Sequence, residues 1–342
     1  MAKDKILYFR FMLVLLRKIA FPFSLIYGLV VFFRNRLFDI GFFSSKSYNT
    51  PTLCVGNLSV GGTGKTPMIE FLVKLLEGHK VAVLSRGYKR KSKGFVLATS
   101  ESTMEDLGDE PYQLYKKFPN IVVAVDADRR NGIQNLETLA NPDVILLDDA
   151  FQHRRVKPSF SILLTSHTHL FTNDWYLPTG NLRDSRREAK RADLIVVTKC
   201  PTGLSHKEKE KISKRINPQP HQKVIFSTLS YQKNITDGSG QIELNALMGK
   251  RFALVTGIAS PEPLVAYLKG LELTFEHFAY GDHHYFSTNE IAEFANFDLI
   301  LTTEKDYGRL AGKVENLYYL EVEHSFNAED HSTLREAISA QI

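Results

Sequence analysis

Gly56-Asn57-Leu58-Ser59-Val60-Gly61-Gly62-Thr63-Gly64-Lys65-Thr66 follows an apolar run at 52–55 and opens a helical pattern at 65–77. A strand, a glycine-rich loop and a helix in that order make a phosphate-binding loop. The glycines let the backbone curl so that its N–H groups face phosphate oxygens, and the helix adds the positive end of its dipole. Lys65 then reaches the β- and γ-phosphates, and Thr66 offers its hydroxyl to Mg²⁺. Ser59 stands where the general motif carries its leading glycine, and Val60 precedes the Gly-Gly-Thr-Gly-Lys-Thr run. A glycine-rich turn without ligand is the bland alternative; a Gly-Lys-Thr end at a strand–helix junction argues against it.

Outward from the loop, short apolar runs at 80–84, 95–98, 121–125, 144–147, 160–164 and 194–197 alternate with helical patterns at 107–118, 129–139, 183–191 and 207–216. Such alternation predicts an α/β fold, a P-loop NTPase-like domain on a mainly parallel sheet. The run at 144–147 ends in Asp148 and Asp149, at the sheet edge where phosphate loops collect an acid for their metal. Successive strand residues face opposite ways, so one of the two carboxylates is expected to meet the ion. A strand end facing plain solvent would look similar. Residues 217–249, richer in Pro, Gln, Gly, Ser and Asn, read as a connection holding a strand pair at 223–230 and 241–244. A second set, with strands at 252–256, 273–278, 299–302 and 317–322 and helices at 261–268, 288–295 and 328–338, predicts a smaller α/β domain. The expected division is 1–40 arm, 41–216 P-loop domain, 217–249 linker and 250–342 smaller domain.

The chain has 342 residues, 43% of them apolar, enough to bury a sizeable core. Its net charge of +5 raises the question of nucleic acid, and the placement of that charge answers it. Lys3, Lys5, Arg10, Arg17, Lys18, Arg34 and Arg36 face a single acid, Asp4, within residues 1–36. The rest of the chain is near neutral, so no nucleic-acid partner is expected. The basic arm is also greasy, with an apolar run at 19–33 that would cover roughly 22 Å as a helix. A hydrocarbon core of about 30 Å is thicker. An N-terminal membrane-associating helix lying in the interface, its cations toward anionic lipid, is the expectation; a full span or a buried hairpin is the alternative. Cys54 and Cys200 lie far apart in strand-like runs and read as buried small hydrophobes.

From here the motifs resemble one family. The segment Val55 to Pro67 is similar to the phosphate loop of tetraacyldisaccharide 4′-kinases, which also carries serine at the position of Ser59. Agreement continues in order through Ser85-Arg86-Gly87-Tyr88, Gly108-Asp109-Glu110-Pro111, Asp128-Arg129-Arg130 and Asp148-Asp149-Ala150-Phe151-Gln152-His153. It extends through Leu177-Pro178-Thr179-Gly180-Asn181-Leu182-Arg183, Gly257-Ile258, Asp282-His283-His284 and Thr303-Glu304-Lys305-Asp306. Ala150 stands where the family usually has Gly, and Asp184 where Glu commonly follows the arginine.

The resemblance implies an ATP- and Mg²⁺-dependent kinase that phosphorylates the 4′-hydroxyl of an acylated disaccharide 1-phosphate lipid at the cytoplasmic face of the bacterial inner membrane. It implies that Asp109 handles the proton of that hydroxyl with His283. Asp109 at a helix start would otherwise be an N-cap with Pro111 in the first turn, and His283 a turn histidine. Ser59 to Pro67 would hold the nucleotide. Arg183 has the planar fork that suits a phosphate, while Arg186, Arg187, Lys190 and Arg191, alternating with acids, read rather as a solvated face. Arg129 and Arg130 are candidate anion contacts, or a helix start paired with Asp126 or Asp128. Tyr88, Glu110 and Gln152 are candidates for nucleotide or sugar contacts. The segment 304–306 would close over nucleotide or pair locally. Because His283 lies in the second domain, closure of the two domains is expected to assemble the site. The rival functions are a regulatory or maturation NTPase without lipid acceptor, and a membrane-tethered nucleotide-binding scaffold.

Overall fold

The computed structural model describes Met12 and residues 16–342; Lys3, Asp4, Lys5, Arg10 and Phe11 of the arm lie outside the described residues. The first parallel block contains β1 (Thr52–Asn57), β2 (Val81–Ser85), β4 (Val122–Val125), β5 (Val144–Asp148), β6 (Phe160–Ser166) and β7 (Leu194–Thr198), with the short β3 (Val96–Leu97) antiparallel at its edge. Every residue of β1, β2, β5, β6 and β7 is buried. Continuous apolar strands of this kind need cover on both faces. The helix Lys65–Leu75 packs Met68, Ile69 and Leu72 on one face, and Arg129–Leu139 packs Ile133 and Leu136 on the other.

The connection at 217–249 does carry a strand pair, but its first strand is far longer than its polar composition implies. β8 (Lys223–Thr236) runs 14 residues, with the short β9 (Gln241–Glu243) antiparallel to its end. Through Lys223–Phe226 it continues the parallel block beside β7. From Ser227 onward it pairs antiparallel with β13 (Leu317–Phe326), which leads to β12 (Leu299–Thr303), β10 (Phe252–Thr256) and β11 (Phe275–Ala279), all mutually parallel. One strand therefore joins two parallel blocks into a single sheet. The second block pairs with the far half of β8 and runs back toward the first. The C-terminal ends of β10 and β12 consequently face the C-terminal ends of the first block, where ligands of parallel sheets bind.

The C-terminal helix Ala328–Ser339 returns to the first block, where Leu334 and Ile338 join the core of Met68 and Ile69. The helical pattern at 107–118 is interrupted: Gly108, at φ +89, separates Met104–Leu107 from Asp109–Lys117. Gly108 is thus the cap, and Asp109 is the first helical residue. No α-helix covers 183–191; only a tight 3₁₀ segment, Arg186–Arg191, forms there. Conversely, Glu304–Leu310 is helical, which the sequence pattern did not reveal. Cys54 and Cys200 are buried and unpaired, and burial raises both thiols, Cys54 to about 12.

Candidate active site

The phosphate loop is braced from three directions. Gly64 caps the helix Lys65–Leu75 at φ +85, a conformation that favours glycine. Asn57, at the end of β1, donates from Nδ2 to Thr63 Oγ1 (2.9 Å). Thr198, at the end of β7, donates its hydroxyl to the Thr63 carbonyl (2.8 Å), and His324 on β13 donates from Nε2 to the Gly64 carbonyl (2.9 Å). The loop entrance pairs with the segment before Arg183: Val60 N donates to Asn181 O (2.7 Å) and Arg183 N to Leu58 O (2.9 Å). Ser59 Oγ is buried without a partner.

The two aspartates diverge, through a turn that begins where β5 ends rather than through strand alternation. Asp148 ends β5 fully inside, its Oδ2 accepting from Ser85 Oγ (2.9 Å) and its Oδ1 without a partner. Burial, then the charges of Glu110 and Asp149, push its carboxyl up to about 6. Asp149 turns away at φ +47 and takes Arg183, with Lys65 Nζ 3.8 Å from its Oδ1. Burial alone would raise its carboxyl, but Arg183 and Lys65 outweigh that and hold it low. An orphaned buried carboxylate oxygen, under the charges of Glu110 and Asp149, fits a magnesium ion, which takes few protein ligands and keeps its waters.

Across the crevice, His283 Nδ1 lies 2.9 Å from Asp109 Oδ2. His283 occupies a left-handed turn (φ +62) after β11, and its ring lies 5.9 Å from that of the exposed Tyr88. Glu110 is ion-paired with Lys305, and Glu304 with Lys117. The 304–306 segment therefore pairs with the first block. These pairs join the two blocks, and the Glu110–Lys305 pair lies within the field of Lys65.

Arg129 is placed otherwise than as an anion contact. It is 2% exposed, with Nη1 on the Asp126 carbonyl (2.7 Å) and Nη2 on the Asp148 carbonyl (3.1 Å). It supports the strand end that presents the acids. Arg130 pairs with Asp128 (3.1 Å), whose side chain caps the helix. Gln152 spends its amide on the Asn57 carbonyl (2.7 Å) and so steadies the loop rather than standing free. Arg191 pairs with the buried Glu188 (2.6 Å) and donates to the Phe151 carbonyl (2.8 Å), so it turns inward rather than lying on a solvated face.

Among the described residues of the arm, Phe21–Asp39 forms a long helix, with Pro22 tolerated in its first turn. Its polar side is docked on the segment leading to Arg183. Ser24 donates to Thr179 Oγ1 (2.8 Å), Tyr27 to the Arg183 carbonyl (3.0 Å), and Asn35 to the fully buried Asp184 (2.7 Å). A Cβ on Gly28 would lie 2.8 Å from Tyr176 Cδ2, so only glycine permits this approach. The opposite side leaves Phe23, Ile26, Leu29, Val30 and Phe33 exposed. Arg17, Lys18 and Arg36 are exposed as expected, whereas Arg34 turns inward to Asp184 (3.8 Å) and the Gln152 carbonyl.

Asn57, Thr198, Arg309 and His324 are the site residues that sequence reasoning missed. Asn57 and Thr198 lie just past the expected strands at 52–55 and 194–197 and carried that positional signal; nothing local marks Arg309 or His324.

A family model described as tetraacyldisaccharide-1-P 4′-kinase matches residues 16–342. The chain is 48% identical over 320 residues to the tetraacyldisaccharide 4′-kinase of Flavobacterium psychrophilum, covering 91% of this chain and 93% of that protein. It is 46% identical over 316 residues to the enzyme of that name from Bacteroides thetaiotaomicron, covering 86% and 83%. Among solved structures it is similar to LpxK from Aquifex aeolicus in complex with ATP, with a TM-score of 0.79, 31% identity, and coverage of 95% of this chain and 99% of that one.

Proposed function

The chain belongs to the tetraacyldisaccharide 4′-kinase family, and on that premise we propose how its residues carry out the phosphoryl transfer. It is an ATP-dependent kinase of lipid A biosynthesis that uses Mg²⁺ and acts on the 4′-hydroxyl of a tetraacylated glucosamine disaccharide 1-phosphate. The observation that carries the residue assignment is the meeting of Asp109 and His283, 174 residues apart, across the crevice from the phosphate loop.

The backbone of Ser59 to Pro67 holds the nucleotide phosphates, and Lys65 neutralises them. Thr66 and Asp148 are the residues that would hold magnesium, with Asp149 beside them; when bound, the ion would supply charge neutralisation for the transferring phosphoryl group. Arg183, within reach of Asp149 and Asn57, supplies a second cation at the same edge. Asp109 and His283 orient the acceptor hydroxyl and take its proton. A loose phosphoryl-transfer transition state asks for alignment and charge neutralisation more than for a strong base. Glu110 and Lys305, paired across the blocks, keep the two halves of the site in register, and Tyr88 lines the mouth.

The exposed apolar face of Phe21–Asp39, flanked by Arg17, Lys18 and Arg36, supports attachment to the cytoplasmic face of the inner membrane. Its polar side holds the Arg183 segment, so the surface that meets lipid and the segment that meets phosphate share one helix. Incubation with γ-labelled ATP and the disaccharide 1-phosphate tests the assignment. Label in the lipid is expected, and Asp109→Ala should abolish it while sparing ATP binding. ATP hydrolysis with no labelled lipid would instead favour the NTPase alternative.

A further inference from the structure

Arg309 stands behind the Asp109–His283 pair and is bound at both ends. It lies on Glu304–Leu310, with its side chain 2% exposed. Nη1 donates to Asp306 Oδ1 (2.8 Å); Nε and Nη2 donate to Asp109 Oδ2 (3.2 and 2.5 Å). Asp306 is itself fixed by the Gly257 amide (2.8 Å) and the Thr303 hydroxyl (2.7 Å). The same Nη2 lies 3.1 Å from His283 Nδ1.

This geometry decides where the imidazole hydrogen sits. Nη2 has two acceptors in reach, and an ionised carboxylate outcompetes a neutral ring nitrogen for its hydrogen. Nδ1, 2.9 Å from that carboxylate oxygen, therefore keeps its own hydrogen and donates it to Asp109. The free lone pair is left on Nε2. We infer that Arg309 is a positioning residue for the phosphoryl transfer: it locks His283 in the tautomer whose Nε2 accepts the acceptor's proton, and keeps Asp109 as a charged orienting group. The inference rests on the proposed role of the Asp109–His283 pair. In the step, the hydroxyl O–H bond breaks as its oxygen bonds the γ-phosphorus. The proton passes to Nε2, and the P–O electron pair leaves with ADP. The resulting imidazolium is stabilised by Asp109 and later loses its proton to water.

The charges around the ring agree. Asp109 faces it from Asp109–Lys117, Arg309 and Asp306 from Glu304–Leu310, and Asp282 from its own turn, with Oδ2 3.9 Å from Nε2. Tyr88 borders it from the loop after β2. Burial alone would raise the Asp109 carboxyl, but the hydrogen bonds from Arg309 and His283 outweigh it and hold the group below its ordinary value.

Arg309→Met and Arg309→Lys in the full chain test this, by steady-state kinetics across pH and by ¹⁵N-histidine NMR. Arg309→Met should lower kcat by about 10²-fold with KM for ATP changed by less than about threefold. The acid limb of its pH–rate profile should move up by about one unit, because an unbalanced Asp109 favours the imidazolium. The spectrum should lose the single Nδ1–H tautomer. Arg309→Lys keeps the charge without the fork, so it should restore the position of the limb and only part of kcat. It also carries the test if Arg309→Met does not fold. A kcat loss of equal size at every pH, or an unaltered tautomer, overturns the inference. His283→Ala separates the two levels: full turnover in that variant would remove the underlying role of the pair, whatever Arg309 does.

Discussion

His324 on β13 donates from Nε2 to the carbonyl of Gly64 across 2.9 Å, tying the second block of the sheet to a phosphate loop 260 residues earlier. Its Nδ1 meets the Ser227 hydroxyl at 2.9 Å, so the ring bridges loop and sheet as a neutral imidazole. Burial pushes it down to about 4.

The stability consequence has a definite sign. A histidine free at about 6.5 and depressed to about 4 in the fold contributes stability that is present above pH 6.5 and lost as pH falls toward 4. His324→Gln keeps a donor for Gly64 without a titrating ring. Urea unfolding between pH 7 and 4 should therefore show a shallower acid-side loss in His324→Gln than in the parent. His153, also depressed to about 4, and Glu70, raised to about 7, titrate in both proteins and cancel in the difference. Parallel slopes would exclude the assignment.

Lys117 is the hub of a second junction between the blocks. Its ammonium lies 2.7 Å from Glu70, 2.9 Å from Glu304 and 3.2 Å from Glu321, and its side chain is only 12% exposed. Lys117→Met leaves buried carboxylates uncompensated and should cost about 3–5 kcal/mol in denaturant unfolding. Glu70→Gln should cost less than about 1 kcal/mol near pH 6, because burial and the Glu304 charge already favour the protonated form there. Equal losses in the two variants would contradict this account.

Asp148 holds an unpartnered buried oxygen and a carboxyl raised to about 6. Asp148→Asn should raise the Mg²⁺ concentration for half-maximal activity by at least about tenfold. Its melting temperature without metal should not fall, since a buried charge has been removed. Metal titration of activity beside metal-free melting checks both, and an unchanged Mg²⁺ requirement would move the ion elsewhere. Chelation should abolish turnover of the parent.

The arm helix has two faces that substitution can separate. Ile26→Ser, Leu29→Ser and Phe33→Ser together alter side chains that are 55–61% exposed, so stability should stay within about 0.5 kcal/mol. Sedimentation with anionic vesicles should drop sharply. Asn35→Ala leaves the buried Asp184 without that donor and should cost about 1–3 kcal/mol while vesicle binding persists. Retained vesicle binding by the triple variant would sink the membrane role of this face. Removing residues 1–36 would merge the two effects, because it takes away both lipid contact and the support of Asp184.

The phosphate loop, the β5 acids and the alternation of strands and helices are legible in sequence because they are local. A Gly-Lys-Thr end needs its own strand and helix, and an apolar strand covered on both faces shows itself as an unbroken apolar run. β8 was partly hidden because residues 228–232 are only half-buried and Lys233 and Asn234 are exposed, so their composition looks like a connection. The helix Glu304–Leu310 was hidden for a different reason. Its charges are satisfied across the blocks, by Lys117, Glu110 and Asp109, and an amphipathic pattern has no way to display a partner on another element.

By itself, then, the sequence determined the class of fold, the nucleotide-binding loop and, through family resemblance, the pairing of Asp109 with His283. Tertiary structure decided what surrounds them: that Arg129 faces inward, that Arg309 clamps the pair, that His324 braces Gly64, and that Arg34 serves Asp184. Each of these depends on which chain segments a long bridging strand brings together, and such contacts arise from packing in three dimensions rather than from spacing along the chain.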